Sequence, residues 1–80
     1  MITVHVKLFA TLRQARPDVP MGQAFAIELP EGATVADLIR KLELPDKEVK
    51  LIFVNALFRE RNHVLADGDE VGIFPPVGGG

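Results

Sequence analysis

The fold of this 80-residue chain is decided by the stretch Thr34-Val35-Ala36-Asp37-Leu38-Ile39-Arg40-Lys41-Leu42-Glu43-Leu44. Its apolar residues recur at i, i+3, i+4 and i+7, which is the spacing of one buried helix face. Thr34 and Asp37 have the spacing of a capping box, and Pro45 follows the stretch. We therefore predict a helix over residues 34–44.

Strand patterns lie on both sides of this helix. Residues 2–8 and 25–29 alternate between apolar and polar side chains, which is typical of half-buried strands. The continuous apolar run 51–54 predicts a strand covered on both faces, and 57–58 begins a short return strand. Residues 69–74 read as a final strand. One sheet packed on one helix is an α+β fold.

Composition limits the kind of protein that this chain can be. The apolar fraction is 48%, there is no Cys, and the formal net charge is −2 with interspersed signs. A nucleic-acid surface would need a basic stripe, so we expect no nucleic-acid partner. No stretch approaches the roughly 20 apolar residues of a membrane span, and Met1 leads into a strand pattern rather than a signal peptide. We expect one small, soluble, cytoplasmic protein.

The residues available for catalysis are few. The chain has no Ser, Cys, Tyr or Trp, and its side-chain hydroxyls are those of three Thr residues. Nucleophilic catalysis usually needs an activated hydroxyl, thiol or amine beside a base. His5 and His63 lack the spacing of metal ligands, so no metal site is expected. If the chain carries a group covalently, the distinctive candidate is the carboxylate of Gly80.

The last six residues are Pro75-Pro76-Val77-Gly78-Gly79-Gly80. Each proline fixes its own φ and restricts the preceding residue to extended backbone, whereas glycine has no Cβ to collide with a narrow channel. Five extended residues from Pro76 reach roughly 16 Å. We predict a folded domain over 1–74 and a protruding, flexible tail over 75–80 that threads into a partner's active site.

Phenylalanine supplies all the aromatic content, with five residues. Phe25 and Phe53 fit the core. Phe74 does not, because Val71 and Ile73 take the core parity of its strand, so we predict that it contacts a partner. For the remaining two, Phe9 and Phe58, the pattern leaves core and interface equally open.

The chain as a whole resembles the small subunits of molybdopterin synthase, which are MoaD-type members of the ubiquitin-like β-grasp sulfur carriers. The Phe-Pro-Pro-Val-x-Gly-Gly ending is the most specific part of the resemblance, and Gly78 stands where that family varies. The similar pieces run along the chain: Leu8-Phe9-Ala10, Leu12-Arg13, Val54-Asn55, Asp67-Gly68-Asp69-Glu70-Val71, Phe74-Pro75-Pro76-Val77 and Gly79-Gly80.

The resemblance implies a non-catalytic sulfur carrier with a β-grasp fold. A ubiquitin-activating-like adenylyltransferase would use ATP to adenylate Gly80, and a sulfurtransferase or desulfurase would supply sulfur for a thiocarboxylate. The tail, including Gly79, would then enter the large subunit of molybdopterin synthase, in a heterotetramer of two small and two large subunits. No tightly bound cofactor is implied. The implied interface residues are Phe9, Arg13, Phe58 and Phe74.

Other functions remain open at this stage. A thiocarboxylate carrier could instead serve thiamine thiazole formation, tRNA thiolation or cysteine synthesis, although the thiamine carriers usually lack the Phe-Pro-Pro stalk. A ubiquitin-like modifier would be joined through Gly80 to lysines of target proteins. A stand-alone enzyme is disfavoured because no nucleophile and base form a pair.

Overall fold

The computed structural model of the protein describes residues 1–9, 12 and 23–76. Five strands cross this part of the chain: β1 (Ile2–Leu8), β2 (Phe25–Leu29), β3 (Leu51–Val54), β4 (Leu57–Phe58) and β5 (Glu70–Phe74). They form one mixed sheet in the order β2-β1-β5-β3-β4. The central strands β1 and β5 are parallel, and the other neighbouring pairs are antiparallel.

The helix α1 (Val35–Lys41) begins at the predicted cap. Thr34 accepts a hydrogen bond from the backbone N–H of Asp37, and the Asp37 carboxylate accepts from the backbone N–H of Thr34 at 2.9 Å. This reciprocal pair satisfies donors that the first helical turn leaves without partners. The prediction of a capping box is therefore confirmed.

The helix ends earlier than the predicted residue 44, and the reason is local backbone geometry. Glu43 has a positive φ of 58° and donates its backbone N–H to the carbonyl of Arg40. The backbone N–H of Leu44 donates to the carbonyl of Ile39 at 3.3 Å. These two bonds form a Schellman motif, which closes the helix two residues before Pro45 can act as a breaker. A 3₁₀ turn, Asp46–Glu48, then leads towards β3.

The core forms on one face of the sheet. Val4 and Val6 of β1 and Ile73 of β5 are fully buried with Val35 and Leu38 of α1, as strand alternation and the helical apolar stripe predict. The same buried cluster includes Leu12, the one described residue between 9 and 23. The helix stripe and one sheet face therefore share a single hydrophobic core.

Two tight turns set the register of the later strands. Asn55 and Ala56 join β3 to β4 with φ values of 53° and 70°, the positive φ pair of a type I′ hairpin turn. Asp67 and Gly68 form the turn before β5, where the Asp67 carboxylate accepts the backbone N–H of Thr3 at 2.8 Å and Gly68 donates to the Thr3 carbonyl at 2.7 Å. The second turn is thus fastened to β1.

A mixed sheet that packs one face on a single helix is the ubiquitin-like β-grasp architecture, so the predicted fold is confirmed. One strand differs from its prediction. Only Ile52 and Val54 of β3 are buried, whereas Leu51 and Phe53 lie on the other face and are partly exposed. The predicted division into 1–74 and 75–80 stays a prediction, because residues 77–80 lie outside the described part.

Candidate partner-binding surface

The sheet face opposite the core, here called the outer face, carries an unusual concentration of aromatic side chains. Phe53 and Phe58 are cross-strand partners on β3 and β4, and Phe74 closes β5. Phe9 follows β1 directly, one residue after the buried Leu8. These four residues, Phe9, Phe53, Phe58 and Phe74, are called the aromatic surface.

Each ring of the aromatic surface touches the next. Phe9 stacks on Phe74, with ring centroids 4.1 Å apart and planes 5° from parallel. Phe53 meets Phe74 edge to face at 5.5 Å, and it meets Phe58 in the same way at 6.2 Å. Stacked and edge-to-face aromatic pairs stabilise by about 0.5–1.5 kcal/mol each beyond their buried area. The surface is therefore one connected cluster.

A groove of about 690 Å³ opens between these rings. Phe9, Phe53 and Phe74 form its apolar walls, and Gly72 is among the residues that line it. His5, Lys7 and Glu70 line the same groove with polar groups, and Lys7 places its Nζ 5.5 Å from the centroid of the Phe9 ring. Apolar walls with a few charged groups at the border are typical of a protein-binding surface.

The aromatic surface lies at the root of the predicted tail. Phe74 is fixed through its backbone as well as its ring, because its carbonyl accepts the backbone N–H of Lys50 at 2.9 Å. Phe9 donates its backbone N–H to the carbonyl of Ile73 at 3.1 Å. Pro75 and Pro76 follow at once. A partner that covers the rings is therefore next to the place where the tail begins.

The structure brings together three of the four predicted interface residues: Phe9, Phe58 and Phe74. Phe74 lies on the outer face, as the parity of its strand predicts. Phe58 is 55% exposed, which excludes it from the core. The fourth residue, Arg13, and the tail residues Val77, Gly78, Gly79 and Gly80 lie outside the described residues.

The core assignment of Phe53 is wrong, whereas Phe25 does pack against the core. The run 51–54 is apolar at every position, so alternation could not tell which face Phe53 takes. The Asn55-Ala56 turn could have given the answer. A two-residue hairpin pairs Phe53 with Phe58, and paired residues lie on the same face of the sheet. Gly72 was also missed, because its importance depends on rings that come from distant parts of the chain.

The polar clusters have structural roles. Asp69 accepts hydrogen bonds from the Asn55 side chain at 3.0 Å and from the backbone N–H of Ala66 at 2.8 Å. Arg61 contacts Asp46 and donates to the carbonyl of Val49 at 2.8 Å, which holds the segment before β3. Across residues 1–9, 12 and 23–76, no three His, Asp or Glu side chains come close enough to share a metal ion.

The helices in the described part of the chain were compared with the length and hydropathy of a membrane span. No helix there is both long enough and apolar enough to cross a bilayer. The one α-helix among these residues, α1, has 7 residues, far fewer than the roughly 20 that a span needs.

Comparison with known proteins gives full-length similarities. The chain is 30% identical over 86 residues to the molybdopterin synthase sulfur carrier subunit of Mycobacterium tuberculosis, with all of both chains covered. A solved Pyrococcus furiosus protein, provisionally named molybdopterin converting factor subunit 1, is 37% identical with a TM-score of 0.74, covering 96% of this chain and 100% of its own.

A third similar protein is the small archaeal modifier protein 1 of Methanosarcina acetivorans, at 27% identity and a TM-score of 0.70. That alignment covers 100% of this chain and 98% of the other. The sequence model of the ThiS family matches residues 6–80, which is almost the whole chain. The chain therefore belongs to the ThiS family.

Proposed function

We propose that this protein is the sulfur-carrier small subunit of a molybdopterin synthase. Its Gly80 carboxylate is adenylated, converted to a thiocarboxylate, and used to donate sulfur to a pyranopterin precursor. The observation that carries this proposal is the position of the aromatic surface, which ends at Phe74 immediately before Pro75. The full-length similarity to the mycobacterial sulfur carrier subunit supports the same function.

The aromatic surface and the tail have separate roles in sulfur delivery: the first binds the partner, and the second carries the sulfur. Large aromatic side chains at a protein surface commonly act as anchors in a complex. Phe74 lies both within this surface and one residue before the Pro75-Pro76 pair. Docking of the large subunit on the rings therefore directs the residues after Pro76 towards one place on the partner.

The chemistry at Gly80 needs two activation steps. A carboxylate is ionised at neutral pH and is a poor electrophile, with a reference pKa of about 3.3–3.7. In the adenylyltransferase, a Gly80 oxygen attacks the α-phosphorus of ATP and releases pyrophosphate. A sulfur nucleophile at the oxidation level of sulfide then attacks the acyl carbon and expels AMP. The product is a thiocarboxylate, with one oxygen replaced by sulfur.

Transfer returns the chain to its starting state. The thiocarboxylate sulfur attacks an electrophilic carbon of the pterin precursor and displaces the oxygen substituent of that carbon, which leaves with a proton, and water then hydrolyses the acyl–sulfur bond. Gly80 is released as a carboxylate, and two such deliveries supply the two sulfurs of a dithiolene. We propose that the catalytic groups belong to the large subunit, in a cytoplasmic heterotetramer of two small and two large subunits.

A second candidate is a ubiquitin-like modifier. It is favoured by the similarity to the Methanosarcina acetivorans modifier protein over essentially the full length of both chains. A modifier would use the same adenylated Gly80, but a lysine amine rather than sulfide would attack the acyl carbon. The two functions therefore differ in the bond that Gly80 forms, an isopeptide in one case and a thiocarboxylate in the other.

Reconstitution separates the two candidates. Thiocarboxylated protein is mixed with the large subunit and pyranopterin precursor, and dithiolene formation is followed together with the return of Gly80 to a carboxylate. We expect product in proportion to the thiocarboxylate consumed, and none with the chain that lacks Gly80. Absence of product, with Gly80 found in isopeptide linkage on many proteins in cells, would favour the modifier.

A further inference from the structure

Gly72 lies in the middle of the outer face. It is paired with Lys7 of β1 on one side and with Phe53 of β3 on the other. A Cβ built on Gly72 would lie 3.3 Å from the Phe9 ring and 3.5 Å from the Phe74 ring. The first distance is tighter than ordinary van der Waals contact, so Phe9 would have to move to admit a side chain.

Backbone conformation does not explain this glycine. Gly72 belongs to a regular strand, and the described glycines with positive φ are Gly32 and Gly68. A glycine within a strand loses more backbone entropy than other residues and has no side chain to pack, which destabilises the strand by roughly 0.5–1 kcal/mol relative to alanine. The space that the missing side chain leaves is therefore the relevant property.

We infer that Gly72 is a positioning residue for the partner-binding surface: its missing side chain lets Phe9 lie flat on Phe74 and so fixes both rings at the root of the tail. This inference rests on the proposed function, because it assigns Gly72 a role in binding the large subunit. Gly72 acts through Phe9 and needs no contact with the partner. Gly72 is thus a further residue of this site, and it sets the shape of the groove.

The expected consequence of a side chain at this position is a change of surface shape with little change of fold. Phe9 lies at the end of β1 and is partly exposed, so it can move outward, whereas the core side of β5 is untouched. A shift of Phe9 by a few tenths of an ångström weakens its stack with Phe74. A weakened stack has to be restored when the large subunit binds, which lowers the affinity by at most roughly two- to tenfold, the value of a whole aromatic pair.

The test is a double-mutant cycle with Gly72→Ala and Phe9→Ala, measured as affinity for the large subunit by calorimetry. The control is built into the cycle, because the added methyl group has no ring to displace once Phe9 is alanine. Gly72→Ala should weaken binding about two- to tenfold in the native background and leave it unchanged in the Phe9→Ala background. Ring-proton chemical shifts of Phe74 report the stack without any partner.

Each outcome decides the inference. Equal affinity of the native chain and Gly72→Ala, or an equal loss in both backgrounds, would overturn it while leaving the proposed function intact. No binding by the native chain would overturn the proposed function and this inference together. If Gly72→Ala fails to fold, the double variant should fold again, since the clash is removed; failure of both would overturn the inference.

Discussion

Phe74 stacks on Phe9 with a centroid distance of 4.1 Å, and this contact joins the ends of two parallel strands. Phe9 follows the last residue of β1 and Phe74 is the last residue of β5. Because the carboxyl ends of parallel strands meet at one edge of a sheet, the two rings are brought together where the chain leaves the fold. The aromatic surface and the predicted tail thus share one edge for a topological reason.

Phe74→Ala should weaken the complex with the large subunit by about 2 kcal/mol or more, as expected for an aromatic anchor at the centre of an interface. The variant removes a stacked contact and an edge-to-face contact from the outer face, and no core residue changes. Binding is measured by calorimetry on protein shown to be folded by circular dichroism.

Val71→Ala is the matched control for Phe74→Ala, because Val71 lies on the same strand but faces the core and is 2% exposed. It should lower the free energy of unfolding more than Phe74→Ala does, while binding per folded molecule is retained. If Phe74→Ala instead unfolds the domain and leaves binding intact, Phe74 belongs to the core and the surface argued here does not exist.

Phe53→Ala tests the corrected position of Phe53. Phe53 contacts Phe58 and Phe74 on the outer face, so Phe53→Ala should lower the free energy of unfolding by about 1–3 kcal/mol. Its neighbour Ile52 is 2% exposed in the core, and Ile52→Ala should cost about 2–5 kcal/mol. Urea unfolding of both variants measures the difference. A larger loss of unfolding free energy in Phe53→Ala than in Ile52→Ala would show that Phe53 belongs to the core.

The sequence predicts the local structure well and the tertiary contacts only in part. The Thr34–Asp37 capping box is a short-range interaction, and its residues identify it directly. Phe74 could be placed because Val71 and Ile73 define the parity of its strand. The Phe9–Phe74 stack could not be predicted, because it depends on the parallel register of β1 and β5. Phe9 and Phe74 are 65 positions apart in the sequence, and only the assembled sheet brings them into contact.

Ala56→Gly should stabilise the protein by about 0.5–1 kcal/mol. Ala56 has a φ of 70°, a conformation that costs a residue with a Cβ roughly 1–2 kcal/mol, and the entropy of the more flexible unfolded chain offsets part of the gain. Ala36→Gly, within α1, is the control and should destabilise by about 1 kcal/mol. Thermal unfolding that shows both variants destabilised would contradict the turn geometry.

The capping box should make stability depend on acid pH. Hydrogen bonds from the Thr34 backbone and side chain lower the pKa of Asp37; desolvation opposes this shift, and Arg40 lowers the pKa further. Since the folded pKa lies below the unfolded value of about 3.9, the stabilisation is complete above that value and is lost as pH falls through the folded pKa.

At pH values below about 5, the free energy of unfolding should therefore fall less steeply with pH in Asp37→Asn than in the native chain, because this position no longer releases a proton on folding. Glu31→Gln removes an exposed carboxylate outside the capping box and serves as the control. Urea titrations at a series of pH values measure the slopes. An unchanged slope in Asp37→Asn would show that the capping box does not couple folding to protonation.

In the proposed function Gly80 carries sulfur as a thiocarboxylate, and mass spectrometry detects that product. Native protein is incubated with ATP, the activating enzyme and a sulfur donor, beside chains that carry one residue beyond Gly80, lack Gly80, or have Gly79→Val. We expect a gain of about 16 Da for the native chain alone, as sulfur replaces one carboxylate oxygen, with folding retained in all four chains. A gain of that mass by the extended chain, without prior trimming, would contradict it.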